Sequence, residues 1–81
     1  MDDHSSTGGY TRQLHNLIQG SRGLHKMNWE ERVSGADHNQ QWIVTVYIDD
    51  APLGTASGSR KNVAKDRAAR EALIALGVID G

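Results

Sequence analysis

From Tyr10 onward, apolar side chains fall at Tyr10, Leu14, Leu17 and Ile18, the three-and-four spacing of a single helix face. This predicts a first helix over about Tyr10–Gln19, with Gly20 placed to close it. After a loop containing Gly20, Ser21 and Gly23, Met27, Trp29 and Val33 alternate across a polar stretch, the pattern of a strand with one solvated face. Residues Ser34 to Asn39 have the composition of a turn. Behind them, Trp42 to Ile48 is the strongest strand signal in the chain, β-branched and aromatic nearly throughout. Its even members Trp42, Val44, Val46 and Ile48 form an unbroken apolar face, and its odd members Ile43, Thr45 and Tyr47 an amphipathic one. Asp49-Asp50-Ala51-Pro52 then reads as a hairpin turn, with Leu53–Ala56 as the returning strand.

Gly58-Ser59 precedes a last helix over about Arg60–Leu76, for which Ser59 is the expected N-cap. The stripe Val63, Ala64, Ala68, Ala69, Ala72, Leu73, Leu76 is lined with small residues near its start, which lets a helix axis lie close to a sheet. Asp66 with Arg70 and Arg67 with Glu71 have the spacing of i,i+4 pairs on the solvent side. The fold class is therefore α+β: helix, three antiparallel strands, helix, with both helices on one face of the sheet, because a sheet this small cannot bury two faces. Trp29 and Trp42 are expected as core aromatics.

Eighty-one residues make one small domain, and the absence of cysteine leaves its cohesion to packing rather than to disulfides or thiolate-bound metal. The ordered domain is expected over residues 10–77, between a flexible tail of residues 1–9, rich in Ser and Gly, and a short tail at 78–81. No apolar run approaches the roughly 20 residues of a membrane span, and the start MDDHSSTGG is acidic where a signal peptide is basic and then apolar. The expected setting is intracellular, cytoplasmic or nuclear, without a membrane partner.

The formal net charge of −1 argues against a polyanion ligand until its distribution is read. Residues 1–59 hold four cations against seven anions, whereas residues 60–81 hold five cations, all between Arg60 and Arg70, against three anions. Arg60, Lys61 and Lys65 crowd the first turns of the last helix, where the helix dipole disfavours positive charge and a sequence selected for stability alone places Asp or Glu. A helix start also presents unpaired N–H groups to anions. The stretch from Gly54 to Asn62 is not a nucleotide P-loop, since it has three residues between its glycines and lacks the Lys-Ser/Thr after the second.

Residues 58–73, GSRKNVAKDRAAREAL, resemble the third motif of the double-stranded RNA-binding domain, roughly G-x-S-K-K-x-A-K-x-x-A-A-x-x-A-L. Ser34-Gly35-Ala36-Asp37-His38, followed by Trp42, resembles the family's G-P-x-H loop and the aromatic strand after it, and the α-β-β-β-α order is the family's own. The resemblance covers about Tyr10 to Leu76 and implies a non-catalytic module that binds A-form duplexes by shape. Such modules touch two successive minor grooves and the phosphates across the major groove between them. It implies three surfaces here. The outer side of the first helix carries Arg12, His15, Asn16 and Gln19. The loop between the first two strands carries His38. The start of the last helix carries Arg60, Lys61, Asn62 and Lys65, of which Lys61 and Lys65 match the family's phosphate-binding lysines. The chain departs from the pattern at Asn16, where Glu is frequent, at Ala36 in place of the loop proline, and at Ala56 in place of a glycine. Asn62 replaces the second lysine of the pair, and Arg60 replaces the serine before it.

A second reading gives the same fold to protein interaction, as a homodimer or as an accessory to a larger RNA-processing enzyme. It draws on the outer sheet positions Ile43, Thr45, Tyr47, Leu53 and Thr55 and on the free edge of the third strand. No pair of histidines has metal-ligand spacing and no Ser, His and Asp arrangement resembles a catalytic elbow, so neither metal, cofactor nor enzymatic activity is expected.

Overall fold

The computed structural model describes residues 4–35 and 39–81, with side chains from Gly9 onward. Its elements are α1 (His4–Gln19), β1 (Met27–Ser34), β2 (Gln41–Ile48), β3 (Ala51–Gly58) and α2 (Lys61–Ala75), and the three strands pair antiparallel in the order β1-β2-β3. This is the expected α-β-β-β-α architecture.

Helix α1 begins at His4, earlier than the expected Tyr10, within the segment expected as a tail. Extending a helix already nucleated costs far less than starting one, so the polar residues before Tyr10 continue the turn that the apolar face anchors. At its other end the left-handed residues are Arg22 (φ 56°) and Gly23 (φ 86°), not Gly20. Gly20 remains right-handed and donates its N–H to the Asn16 carbonyl, as one more helical turn.

The β2–β3 turn is tighter than its composition implies. Asp49 (φ 52°) and Asp50 (φ 70°) are both left-handed, which makes a two-residue turn whose twist matches the strands, and β3 already starts at Ala51. Aspartate is one of the few residues that tolerates this conformation. Asp49 is also tied to the chain before β1: its Oδ1 accepts the Lys26 N–H at 3.0 Å and its Oδ2 the His25 Nδ1–H at 2.6 Å. The His25 hydrogen bond, followed by that of the Lys26 amide, holds the Asp49 carboxyl below its ordinary value. Pro52 lies in β3, an edge strand, where a missing N–H does least harm.

Just past the turn the register slips: Val46 faces Gly54 and Tyr47 faces Pro52, leaving Leu53 as an extra residue. That bulge redirects Leu53. It packs against the core instead of standing on the outer face beside Tyr47.

The core lies between the sheet and α2 and is closed by α1. Leu14, Val46, Ile48, Ala69, Ala72 and Leu73 form one cluster and Val44, Ala64 and Ala68 a second, with Trp29 packed against both. Four alanines of α2 are fully buried, and the helix sits so close to β3 that a β-carbon on Gly54 would stand 2.2 Å from the Ala68 carbonyl oxygen. Ile79 also reaches the first cluster, so packing continues into the residues expected as a C-terminal tail.

The N-cap of α2 is Arg60 rather than Ser59, and no side chain caps it. The strand end and the helix start are closely packed here, since a β-carbon on Gly58 would stand 3.2 Å from Val63 Cγ1 and 3.3 Å from the Ala64 nitrogen, and Ser59 lies one residue before the cap position. The C-terminus closes fully: Gly77 is left-handed (φ 77°), its N–H reaches the Ile74 carbonyl, and the Val78 N–H reaches that of Leu73. Neither expected i,i+4 pair forms. Asp66 turns to α1, Arg67 donates to the Ser57 carbonyl at 2.9 Å, and Arg70 lies 3.5 Å from Glu71.

Candidate nucleic-acid interface

The helical period puts Arg12, His15, Asn16 and Gln19 on one side of α1, all exposed, while Leu14 faces the core. What the period leaves open is where that side lies relative to α2. Asp66 decides it: its Oδ1 accepts the N–H groups of Tyr10 and Thr11 at 3.0 and 2.9 Å and the Thr11 hydroxyl at 3.1 Å. A carboxylate on α2 thereby receives α1 amides from outside the helix, at the point where the packed part of α1 begins. Charge-assisted bonds of this kind are the strong ones.

The consequence is a groove of about 460 Å³ lined by Thr11, Arg12, His15, Asn16 and Gln19 from α1 and by Asn62 and Lys65 from α2. All four α1 candidates and two of the four α2 candidates thus share one concave surface. Arg60 and Lys61 do not line the groove; they stand at the exposed start of α2, where neither acidic residue nor side-chain cap occupies the first turn. The N-terminal amides and the dipole therefore remain available to an anion.

Lys61 and Lys65 do not wave freely from this surface. Lys61 Nζ sits 5.6 Å from the centroid of the Trp42 ring and 3.8 Å from Glu31 Oε1, and Lys65 Nζ sits 4.8 Å from the centroid of the Trp29 ring. The register explains the meeting. Trp29, Glu31 and Val33 lie on the helix side of β1, with Trp29 opposite Val46 and Val33 opposite Trp42. α2 covers β2 and β3 and leaves this strip beside it. Both tryptophans pack against the core, but where the sequence predicts core aromatics they are only half-buried, and the lysines lie over their rings. The sequence reading missed these tryptophans, Glu31 and Asp66 as parts of the site. The available signal was the shared parity of Trp29 and Glu31 on one strand, but only pairing with β2 and docking of α2 turns parity into contact.

His38 and Ala36 lie outside the described residues. Their loop opens at Gly35, left-handed with φ 102°, where a β-carbon would stand 2.6 Å from the Asn39 carbonyl oxygen, so the glycine of the loop motif is sterically required.

The outer sheet face is less free than its composition implies. Thr45 is only 7% exposed and shares a hydrogen bond with Thr55 at 3.1 Å; Tyr47 donates its hydroxyl to Glu30 at 3.0 Å, which raises the phenol above its ordinary range. Ile43 and Tyr47 are half-buried, and Leu53 belongs to the opposite face. A second hollow of about 600 Å³ is walled by Leu17, Ile18, Ile48, Leu53, Leu76 and Val78, with His25 and Asp49, already paired to each other, as its ionisable groups. It offers nothing to a polyanion. Among the described residues no three His, Asp or Glu side chains converge as metal ligands, and no helix is long and apolar enough to cross a membrane.

Compared with known protein families, residues 10–76 match the double-stranded RNA binding motif. No curated protein matches the chain.

Proposed function

The chain belongs to the double-stranded RNA-binding motif family, and from that premise we propose that it reads the A-form duplex by shape through one continuous side of the domain. Arg12, His15, Asn16 and Gln19 of α1 exchange hydrogen bonds with ribose hydroxyls and base edges in one minor groove. Arg60, Lys61, Asn62 and Lys65, with the N-terminal amides of α2, hold phosphates across the adjacent major groove. His38 enters the next minor groove. The observation that carries this reading is the groove joining the outer side of α1 to the start of α2. A duplex presents ribose and phosphate side by side over about 16 base pairs, and the double helix is recognised without reading base sequence. The module acts by binding and not by catalysis.

The second reading, a homodimer or an RNA-processing partner docked on the sheet, has weaker support. The edge of β3 is interrupted by Pro52 and by the bulge at Leu53, both of which blunt strand addition, and the outer face spends its hydroxyl groups internally.

The test is titration of an RNA duplex of about 20 base pairs at several salt concentrations, with Lys61→Ala combined with Lys65→Ala. Circular dichroism confirms the fold of the variant. Binding should be largely lost, and the slope of log affinity against log salt should fall by about two, one for each phosphate contact removed. An unchanged affinity and slope would remove the lysines from the interface. A DNA duplex of the same length should bind more weakly, because it lacks the 2′-hydroxyls that α1 engages.

A further inference from the structure

Two cations at the start of α2 are electrostatically awkward. The dipole repels them, no acidic residue stands in the first turn, and a lysine side chain loses more rotamer freedom on fixation than almost any other. Left to solvent, both ammonium groups would sample many positions, and a phosphate would have to immobilise each on binding.

The structure supplies a seat for each. Beside α2, on the strip of the sheet that the helix leaves uncovered, the rings of Trp29 and Trp42 present their faces, and the Lys65 and Lys61 ammonium groups lie over them at 4.8 and 5.6 Å from the centroids. Both distances fall inside the range at which a ring quadrupole attracts a cation, and tryptophan is the strongest of the aromatic partners. The lysine stem covers apolar ring surface while the charge stays at the water. Both rings pack against the core, Trp29 against both clusters and Trp42 against that of Val44, Ala64 and Ala68, so the seats are anchored to the sheet.

We propose that Trp29 and Trp42 are positioning residues for RNA binding: each holds one lysine ammonium in place for a phosphate without neutralising it. The inference rests on the assignment of Lys61 and Lys65 to phosphates. A carboxylate in the same place would also order a lysine, but it would cancel the charge that the phosphate needs. An aromatic face attracts the cation and leaves its formal charge and its outward N–H donors available. Lys61 shows both kinds of neighbour at once, with Trp42 on one side and Glu31 on the other.

The experiment is a pair of double-mutant cycles on RNA affinity, Trp29→Leu with Lys65→Ala and Trp42→Leu with Lys61→Ala, each Kd corrected for the folded fraction measured by urea titration. Each tryptophan variant should weaken duplex binding about three- to five-fold when its lysine is present and not at all when that lysine is already alanine. Trp29→Phe and Trp42→Phe, which keep a weaker aromatic face, should recover part of the loss. They carry the same cycle, with a smaller coupling of about two-fold, should a leucine variant fail to fold. In the RNA-free protein, Lys65→Ala should shift the emission of Trp29, read in a Trp42→Phe background. If the lysine variants weaken binding but the tryptophan variants do not, or do so equally without the lysine, the positioning role is refuted while the phosphate contacts stand. If the lysine variants bind as the wild type does, the phosphate assignment falls and the positioning role with it.

Discussion

Adding one methyl group at Gly54 tests whether the approach of α2 to the sheet is as close as the packing implies. An ideal β-carbon there lies 2.2 Å from the Ala68 carbonyl oxygen and 2.8 Å from the Ala72 amide nitrogen, where ordinary contact begins at 3.4 Å. Both obstacles are backbone atoms in the middle of a helix, so no rotamer change relieves the clash. The helix must retreat by about 1 Å along that direction, the difference between those distances. Ala64, Ala68, Ala69, Ala72 and Leu73, all fully buried, retreat with it. A gap of that size forfeits between a quarter and a half of each dispersion contact across the layer. Overpacking of this kind costs about 3 kcal/mol, from a total of roughly 4–12 kcal/mol for a domain of this length. With a urea m-value of about 1 kcal/mol/M, Gly54→Ala should lower the unfolding midpoint, followed by tryptophan fluorescence, by about 3 M. Gly9→Ala is the control: Gly9 lies within α1 with open space where a β-carbon would go, and alanine there should stabilise by about 0.5–1 kcal/mol. The same chemical change thus has opposite signs at two sites. A Gly54→Ala protein within about 0.5 kcal/mol of wild type would show that α2 does not lie where the clash requires.

Asp66→Ala removes the acceptor of three hydrogen bonds from Tyr10 and Thr11 and should destabilise the protein by about 1–2 kcal/mol in urea titration, with Asp66→Asn recovering part of the loss. An alanine variant as stable as wild type would mean that these bonds do not fasten α1 to α2. Glu31 lies 3.8 Å from Lys61, so on the proposed phosphate role of that lysine Glu31→Gln should tighten binding of duplex RNA about two- to three-fold at low salt, with the gain disappearing as salt screens the pair. Unchanged or weaker binding would show that Glu31 is spent elsewhere.

Much of the fold is legible in the order of residues. Two periods, near 3.6 in the outer segments and 2 in the middle ones, specify helix, strands, helix, and the alternation along Trp42–Ile48 identifies the face that receives the helices, with Val44 and Val46 fully buried and Ile48 nearly so. The basic cluster at the start of α2 and the polar side of α1 are legible for the same reason, since each is local to one element. The errors are non-local. Helical spacing pairs Asp66 and Arg67 with residues one turn along their own helix, but in the fold they meet α1 and Ser57 instead. Leu53 is expected at the partner interface of the edge strand, and a single bulge turns it to the core. Ser59 has the right chemistry for a cap, yet the extended cap residue is Arg60, one position later.

The charge distribution divides in the same way. Sequence alone determined that the cations gather between Arg60 and Arg70 and that the elements run α-β-β-β-α, because spacing along a chain is all that helical and strand periods require. Only the tertiary structure decided that Lys61 and Lys65 rest on Trp42 and Trp29, that Glu31 stands against Lys61, and that the candidate side of α1 shares a groove with the start of α2. Those contacts join residues far apart in the chain, and the bond from Tyr10 to Asp66 that holds α1 beside α2 spans 56 positions. No local pattern encodes such a meeting: it follows from the strand register and from the closeness with which small residues let α2 approach the sheet.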